Sequence, residues 1–440
     1  MTKPLVAVVG RPNVGKSTFF NRICGKRISI VKDLPGVTRD RIYADAEWQG
    51  YNFTLIDTGG IELKSDDAMY KHIRKQVEIA VDVADVIVFF VDGKQGLVAS
   101  DMDVADYLRT VNKPVVLAVN KLDNFTVENM DAVYDFYQLG LGEPIGVSAE
   151  QSKGLGDLLD EIVKYFDKIE SDESDSIKIA VVGRPNVGKS SMVNKILGYE
   201  RVIVSDVAGT TRDAVDTPFT RNDKNYTIID TAGLRRKRGV EFDTVESYSV
   251  MRSIAVIKRA DVVLIIFDSS EEISEQDVRI AGMVHEEGKP CIIVMNKWDV
   301  VEKDTHTIED YKKTLDNQLA FMDYYVPIFV SAKTGQRVDR IFDVIDKVYE
   351  NASRRIPTGI LNDVIREAVS VNEPPSPSGR RLKILYATQT DVNPPKIVIF
   401  VNNEKILHFS YRRYLENSLR KAFDFSGTPI VVVYNSKKEE

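Results

Sequence analysis

Eleven residues, Ala7 to Ser17 (AVVGRPNVGKS), recur letter for letter as Ala180 to Ser190, an offset of 173 positions. The same offset carries Thr38-Arg39-Asp40 onto Thr211-Arg212-Asp213 and Asp57-Thr58 onto Asp230-Thr231. Later pairs drift slightly: Asn120-Lys121-x-Asp123 meets Asn296-Lys297-x-Asp299, and Ser148-Ala149 meets Ser331-Ala332. A period this long lies far beyond solenoid units of about 20–50 residues. The chain therefore holds two copies of one whole domain. Residues 168–176 (KIESDESDS) are acidic and almost without apolar residues, so they read as a flexible linker. The resulting division is 1–167, a linker over 168–176, 177–352, and a third module over 353–440.

Within each copy, short apolar runs alternate with amphipathic stretches. The first copy carries them at 5–9, 53–56, 86–91 and 115–119; the second at 179–182, 226–229, 262–267 and 292–295. Continuous Val, Ile and Leu mark strands buried on both faces of a parallel sheet, with helices as crossovers. Each copy is thus expected to be an α/β doubly wound domain. Function then belongs to the loops at the carboxyl ends of its strands.

Those loops carry the chemistry. Gly10-Arg-Pro-Asn-Val-Gly15-Lys16-Ser17 follows the first run and opens an apolar helix, and Gly183 to Ser190 repeats this around Gly188. The glycines let the backbone wrap a phosphate with its N–H groups, and the helix N-terminus adds a favourable dipole. Lys16 and Lys189 are placed to reach β- and γ-phosphates, Ser17 and Ser190 to ligate Mg²⁺, with Thr18 and Ser191 next in the phosphate-binding set. One such motif arises by chance; two in the same strand–loop–helix setting do not.

Asn120-Lys121-Leu122-Asp123 and Asn296-Lys297-Trp298-Asp299 follow the fourth run of each copy and select the base. A carboxylate at Asp123 or Asp299 accepts from guanine N1–H and the 2-amino group, and adenine offers neither. A site built to pair such groups discriminates by roughly 10⁴-fold or more. A charged strand-end turn is the plain alternative for one motif standing alone. Ser148-Ala149 and Ser331-Ala332 fit loops whose backbone N–H meets guanine O6. Asp57-Thr-Gly-Gly60 and Asp230-Thr-Ala-Gly233 end the second run of each copy. Their carboxylates suit the water shell of Mg²⁺, and the Gly60 and Gly233 N–H groups suit a γ-phosphate. Thr38 and Thr211 lie in polar stretches that can close over Mg²⁺. A turn threonine is the alternative there, and Thr210 competes with Thr211 for the role.

Composition narrows the setting. Apolar residues make up 43% of the chain and charged residues 28%, a globular balance that excludes disorder as the main state. Cys24 and Cys291 sit alone in apolar stretches, which excludes a disulfide framework and fits buried thiols in a reducing compartment. His72, His285, His306 and His408 show no metal-ligand spacing. The longest apolar runs are of strand length, far below the about 18 residues that span a bilayer. The opening MTKPLVAVVG lacks the layout of a secretory signal. A soluble cytoplasmic protein with no membrane partner is expected.

From residue 354 onward the pattern changes, and 14 Lys+Arg stand against 9 Asp+Glu within a chain of net charge −7. That asymmetry fits either a polyanionic partner or an ordinary solvated surface. A helix is expected at 359–369, strands at 382–388 and 396–401, a helix at 411–423 and a strand at 429–434. The order α-β-β-α-β resembles a KH-like fold. A KH domain grips RNA through a GXXG loop, and this module has none. Arg380, Arg381, Arg412 and Arg413 then either touch RNA phosphates or are simply solvated.

Together the motifs resemble the five-motif set of translation-factor-related GTPases, and their tandem arrangement is similar to the EngA (Der) family of bacterial ribosome-assembly GTPases. The resemblance covers essentially the full chain. It implies two P-loop GTPase domains with doubly wound sheets and a C-terminal α+β KH-like domain. It implies GTP and GDP as ligands, Mg²⁺ as cofactor, and hydrolysis of GTP as the activity. The implied role is a switch that binds ribosomal particles and assists maturation of the large ribosomal subunit, through rRNA and ribosomal proteins. A monomer is expected, with intramolecular contacts between the G domains and the KH-like domain. The alternative is a protein scaffold in which one G domain binds nucleotide without turnover.

Where Ras-like proteins place a water-orienting Gln after DTxG, this chain has Ile61 and Leu234, so hydrolysis needs other electrostatic help. Asn13 and Asn186 resemble the asparagine that related GTPases use to bind K⁺ beside the phosphates. A loop-stabilising Asn is the alternative. The copies differ most after DTxG, where the second carries Arg235, Arg236, Lys237 and Arg238 in succession. This run suits a polyanion, the acidic first copy, or bulk water.

Overall fold

The computed structural model describes residues 3–24, 43–58, 77–78, 81, 83–123, 133–166, 176–198, 203–204, 216–231, 246–374 and 382–436. Thr38, Gly60, Ile61, Thr211, Gly233, Leu234, the Arg235–Arg238 run, Arg380, Arg381 and the linker over 168–175 lie outside them. The chain forms two compact units, Met1–Ser174 with Gly239–Ala255, and Asp175–Arg238 with Val256–Glu440, the second holding most of the second copy and the C-terminal module.

In the first copy, β1 (Leu5–Val9), β2 (Tyr43–Trp48), β3 (Tyr51–Asp57), β4 (Val86–Asp92), β5 (Val115–Asn120) and β6 (Pro144–Gly146) form one sheet. Its order is β2-β3-β1-β4-β5-β6, parallel except for the edge pair β2/β3. The helices α1 (Lys16–Cys24), α2 (Ala99–Arg109) and α3 (Leu155–Val163) belong to the same copy. The reason for the apolar runs is visible strand by strand. Leu5, Ala7 and Val9 enter one buried cluster with Ile87, Phe89 and Val91. Val6 and Val8 enter a second with Val86, Val88 and Phe90. Successive side chains point to opposite faces, so a strand covered on both sides is apolar at every position.

The second copy repeats the plan with β7 (Ile177–Val182), β8 (Ile203–Val204), β9 (Thr217–Arg221), β10 (Lys224–Ile228), β11 (Val262–Asp268), β12 (Cys291–Asn296) and β13 (Val326–Phe329). The order β13-β12-β11-β7-β10-β9-β8 matches the first sheet with one short edge strand added. Its helices include α4 (Lys189–Leu197), α5 (Glu275–Glu286), α6 (Thr307–Gln318) and α7 (Arg340–Ser353). The doubly wound sheets are therefore mixed at one edge. Hairpins supply the antiparallel pairs β2/β3 and β9/β10, turning at Gln49-Gly50 and at Asn222-Asp223, all four residues at positive φ, and β8 adds a third antiparallel pair on β9. Both cysteines are buried free thiols. Among the described residues no helix is long and apolar enough to cross a membrane.

The C-terminal module reads α8 (Thr358–Val371), β14 (Ile384–Asp391), β15 (Lys396–Val401), α9 (Phe409–Ala422) and β16 (Val431–Ser436). The order is the one expected, with β14 antiparallel and β16 parallel to β15. Leu361, Ile365, Leu415 and Leu419 pack on Ile397, Ile399 and Val401 as its core. The module is fastened to the second copy. The Cys291 N–H donates to Gly427 O at 2.8 Å, and the Gly427 N–H donates to Tyr324 O at 2.6 Å. Asn351 Nδ2 donates to Ser426 O, Thr428 Oγ1 donates to Val348 O, and Lys347 pairs with Asp424.

Candidate functional site

Each phosphate loop leaves the end of β1 or β7 and enters α1 or α4, which begin at Lys16 and Lys189. The second glycine of the loop admits no other residue. Gly15 has φ +98°, and a Cβ there would stand 2.1 Å from Asn120 Nδ2; Gly188 has φ +97° and the same clash with Asn296 at 2.3 Å. Asn13 and Asn186 occupy the left-handed region at φ 65° and 66° with exposed side chains. Asn tolerates that conformation better than most residues, so both positions have a backbone reason for being Asn.

Lys16 Nζ donates to Gly10 O at 2.7 Å and to Arg11 O at 2.8 Å. Lys189 Nζ makes the matching bonds to Gly183 O and Arg184 O, both at 2.6 Å. Each loop thus curls around its own ammonium. Burial pushes the Lys16 ammonium down to about 8, against the opposing attraction of Asp57. The loop arginines are held aside: Arg11 lies 3.2 Å from Asp101 on α2, and Arg184 lies 3.1 Å from Asp277 on α5. Arg11 also donates to Gln95, and Arg184 to Glu271. Ser17 and Thr18 are exposed at the start of α1, Ser190 is half-buried and Ser191 exposed. Asp57 is buried at the end of β3, where Thr58 Oγ1 donates to Val8 O at 2.8 Å. Asp230 is half-buried at φ 60°, its N–H donating to Asp216 Oδ1 at 2.9 Å.

The base-selecting loops are tied to the phosphate loops through one side chain. Asn120 Nδ2 donates to Val14 O at 2.7 Å, and its Oδ1 accepts from Ala149 N–H at 2.9 Å. Asn296 does the same with Val187 O at 2.8 Å and Ala332 N–H at 3.0 Å. Both asparagines are buried, so they act as clamps joining three loops. The Ser148 N–H is bonded to Lys153 O and the Ser331 N–H to Gln336 O, because each loop closes on itself before the alanine amide reaches its clamp.

Lys121 and Lys297, both at positive φ, pair with Asp92 at 2.7 Å and Asp268 at 2.5 Å. Burial by itself would raise Asp92, but Lys121 and the Gln95 and Lys94 amides outweigh it and hold the carboxyl below its usual range. Sequence reasoning missed these aspartates, although the same residue ends the third apolar run in both copies. Asp123 accepts from Ser148 Oγ at 3.0 Å and pairs with Lys94, which chiefly holds it low. Asp299 is held low chiefly by the neighbouring Ser331 hydroxyl. In the C-terminal module, the Arg412 guanidinium lies over the Tyr434 ring at 5.2 Å, and Arg413 is exposed on α9.

The family described as 50S ribosome-binding GTPase matches residues 5–121 and 178–297. The family described as KH-domain-like of EngA bacterial GTPase enzymes, C-terminal, matches 355–435. The chain is 54% identical to GTPase Der of Agathobacter rectalis over 441 residues, covering 100% of both. It is 53% identical to GTPase Der of Clostridium kluyveri, again over 100% of both. Two clamped phosphate loops, two base-selecting loops and this likeness along the whole chain have one common reading, hydrolysis of GTP. The chain belongs to the EngA (Der) family of GTPases.

Proposed function

We propose that the chain is a GTP-driven switch that engages ribosomal particles and assists maturation of the large ribosomal subunit. The observation that carries this reading is the complete clamp in both copies. Asn120 and Asn296 each bind a phosphate loop and a Ser-Ala loop, so each copy is organised around a nucleotide. In this reading, Asp123 and Asp299 accept from the guanine edge, and Lys16 and Lys189 turn from loop carbonyls to phosphate oxygens. Thr38 and Thr211 would serve Mg²⁺, and the Gly60 and Gly233 N–H groups the γ-phosphate. The working regions are 1–167, 177–352 and 353–440, joined by 168–176, in a cytoplasmic monomer.

The donor set suits Mg²⁺, a hard cation that takes hydroxyl and carboxylate oxygens. Ser17 is exposed at the head of α1, and Asp57 is buried at the end of β3. Ser17 with Thr38, and Ser190 with Thr211, would hold it. When bound, Mg²⁺ neutralises charge on the β- and γ-oxygens. Asn13 and Asn186 bring exposed amide oxygens to the loop rim, which suits K⁺ and offsets the missing Gln at Ile61 and Leu234. Replacing K⁺ by Na⁺ at constant ionic strength should then slow hydrolysis several-fold; equal rates would remove the K⁺ assignment.

The description of the matched family, and the basic C-terminal module docked on the second copy, support rRNA and ribosomal proteins as partners. The test is sedimentation with purified ribosomal subunits in GDP, GTP and a non-hydrolysable GTP analogue. Selective co-migration with the large subunit in the analogue is expected. Identical migration in all states would overturn the switch.

A further inference from the structure

The two base-selecting sites share their clamps and their lysine–aspartate pairs and differ in the cation beside the selecting carboxylate. Asn120 and Asn296 clamp the same loops, Lys121 and Lys297 pair with Asp92 and Asp268, and Arg11 and Arg184 are anchored on α2 and α5. In the first copy, Lys94 Nζ reaches across to pair with Asp123 Oδ2. Lys94 lies two residues beyond Asp92, and Ser270 stands two residues beyond Asp268. Ser270 Oγ turns back to donate to Asp268 Oδ1 at 2.6 Å, so no cation from this position pairs with Asp299, whose chief neighbour is the Ser331 hydroxyl. Asp299 Oδ1 is buried with no hydrogen-bond partner among the described residues.

We propose that Lys94 competes with guanine for the Asp123 carboxylate, so that the first site binds guanine nucleotides more weakly and with more salt sensitivity than the second. The inference rests on the reading of Asp123 and Asp299 as the groups that accept from guanine N1–H and the 2-amino group. The chemistry follows from charge and crowding at one carboxylate. Asp123 accepts from Ser148 at Oδ1 and pairs with Lys94 at Oδ2, so an arriving base must share that carboxylate with an ammonium already bound to it. At Asp299, an unsatisfied buried oxygen is stabilised by the arriving N–H, since a buried acceptor without a partner is costly. Lys94 is largely exposed, its side chain 62% accessible, so the competition is modest and screened by salt. Lys94 sits on the loop after β4, outside the phosphate loop, and it can swing into water when the base enters.

The experiment uses the full chain with one site disabled at a time, by Lys189→Ala or by Lys16→Ala. GDP and xanthosine diphosphate, whose 2-oxo group replaces the 2-amino group, are titrated by calorimetry at low and high salt. Lys94→Ser should tighten GDP at the first site by roughly two- to five-fold at low ionic strength, with the gain shrinking at high salt. Ser270→Lys should weaken GDP at the second site by a similar factor. Unchanged GDP affinity in Lys94→Ser at low salt would overturn the proposal, and so would weaker binding, which would make Lys94 a nucleotide contact. Asp123→Asn separates this from failure of the guanine reading. If Asp123→Asn lowers the preference for GDP over xanthosine diphosphate while Lys94→Ser does nothing, only the competitor role is lost. If Asp123→Asn leaves that preference intact, the guanine reading itself falls.

Discussion

At the scale of single residues, the loop lysine behaves differently from a surface lysine. Its ordinary value is 10.5, and burial lowers Lys16 to about 8. Between those values the unfolded chain holds more of the proton than the native one, so this group's contribution to stability rises with pH from about 8 to 10.5. An arriving phosphate favours the charged form and reverses the shift. GDP binding at the first site should therefore take up a substantial fraction of a proton near pH 8.5, and affinity should fall as pH rises beyond 8. Calorimetry of the Lys189→Ala chain, in buffers of different ionisation heat, checks this. Buffer-independent heats would contradict a depressed Lys16. The neighbouring clamp offers a second test. Asn120→Ala leaves Val14 O and the Ala149 N–H unpaired, which should cost about 2–4 kcal/mol of stability in the first unit. Gly15→Ala drives a methyl onto the same amide, so the double variant should cost clearly less than the sum of the singles. Strict additivity in thermal unfolding would show that Gly15 and Asn120 act separately.

At the scale of elements, the strands differ in how openly the sequence announces them. Residues 86–91 and 262–267 are buried on both faces, and every one of them is Val, Ile, Leu or Phe. The edge strand β2 (YADAEW) and the next-to-edge strand β9 (TPFTR) are partly exposed and interleave polar residues, so no apolar run betrays them. The eleven-residue repeat announced both phosphate loops. It could not reveal the clamps, because the partner of Asn120 is a backbone carbonyl 106 positions earlier and carries no side-chain signature. The Lys94–Asp123 pair was hidden likewise, since only folding brings the ends of β4 and β5 side by side. The edge turns give a further prediction. Asn222 and Asp223 both sit at positive φ, at 51° and 61°, where Asn-Gly is the favoured pair. Asp223→Gly should raise the stability of the second unit by about 0.5–1 kcal/mol, read as a higher urea midpoint. A lower midpoint would mean the Asp223 side chain does more there than occupy the turn.

At the scale of the whole molecule, the C-terminal module and most of the second copy form one compact unit. Gly427 sits at their junction, at φ +75°, where an added Cβ would lie 2.3 Å from Val348 Cγ2. Its N–H and C=O are both bonded to the second copy, to Tyr324 and Cys291. Gly427→Val therefore meets a strained backbone and a steric clash together, and should cost about 3 kcal/mol or more. The expected signature in calorimetry is that one cooperative transition of the second unit splits into two. A single transition at the parent temperature would show that the junction is not held at Gly427.

The same junction supplies an instrument. The strand β12 begins at Cys291, whose N–H is covered by Gly427 O, and ends at Asn296, whose side chain grips the phosphate loop. Six residues of strand span roughly 17–20 Å. Deuterium can enter the Cys291 amide only when the C-terminal module lifts away, so its uptake rate clocks that opening without any attached label. Comparing the rate in GDP with the rate in a GTP analogue reads, from one backbone proton, how firmly the nucleotide at the far end of the strand keeps the module closed.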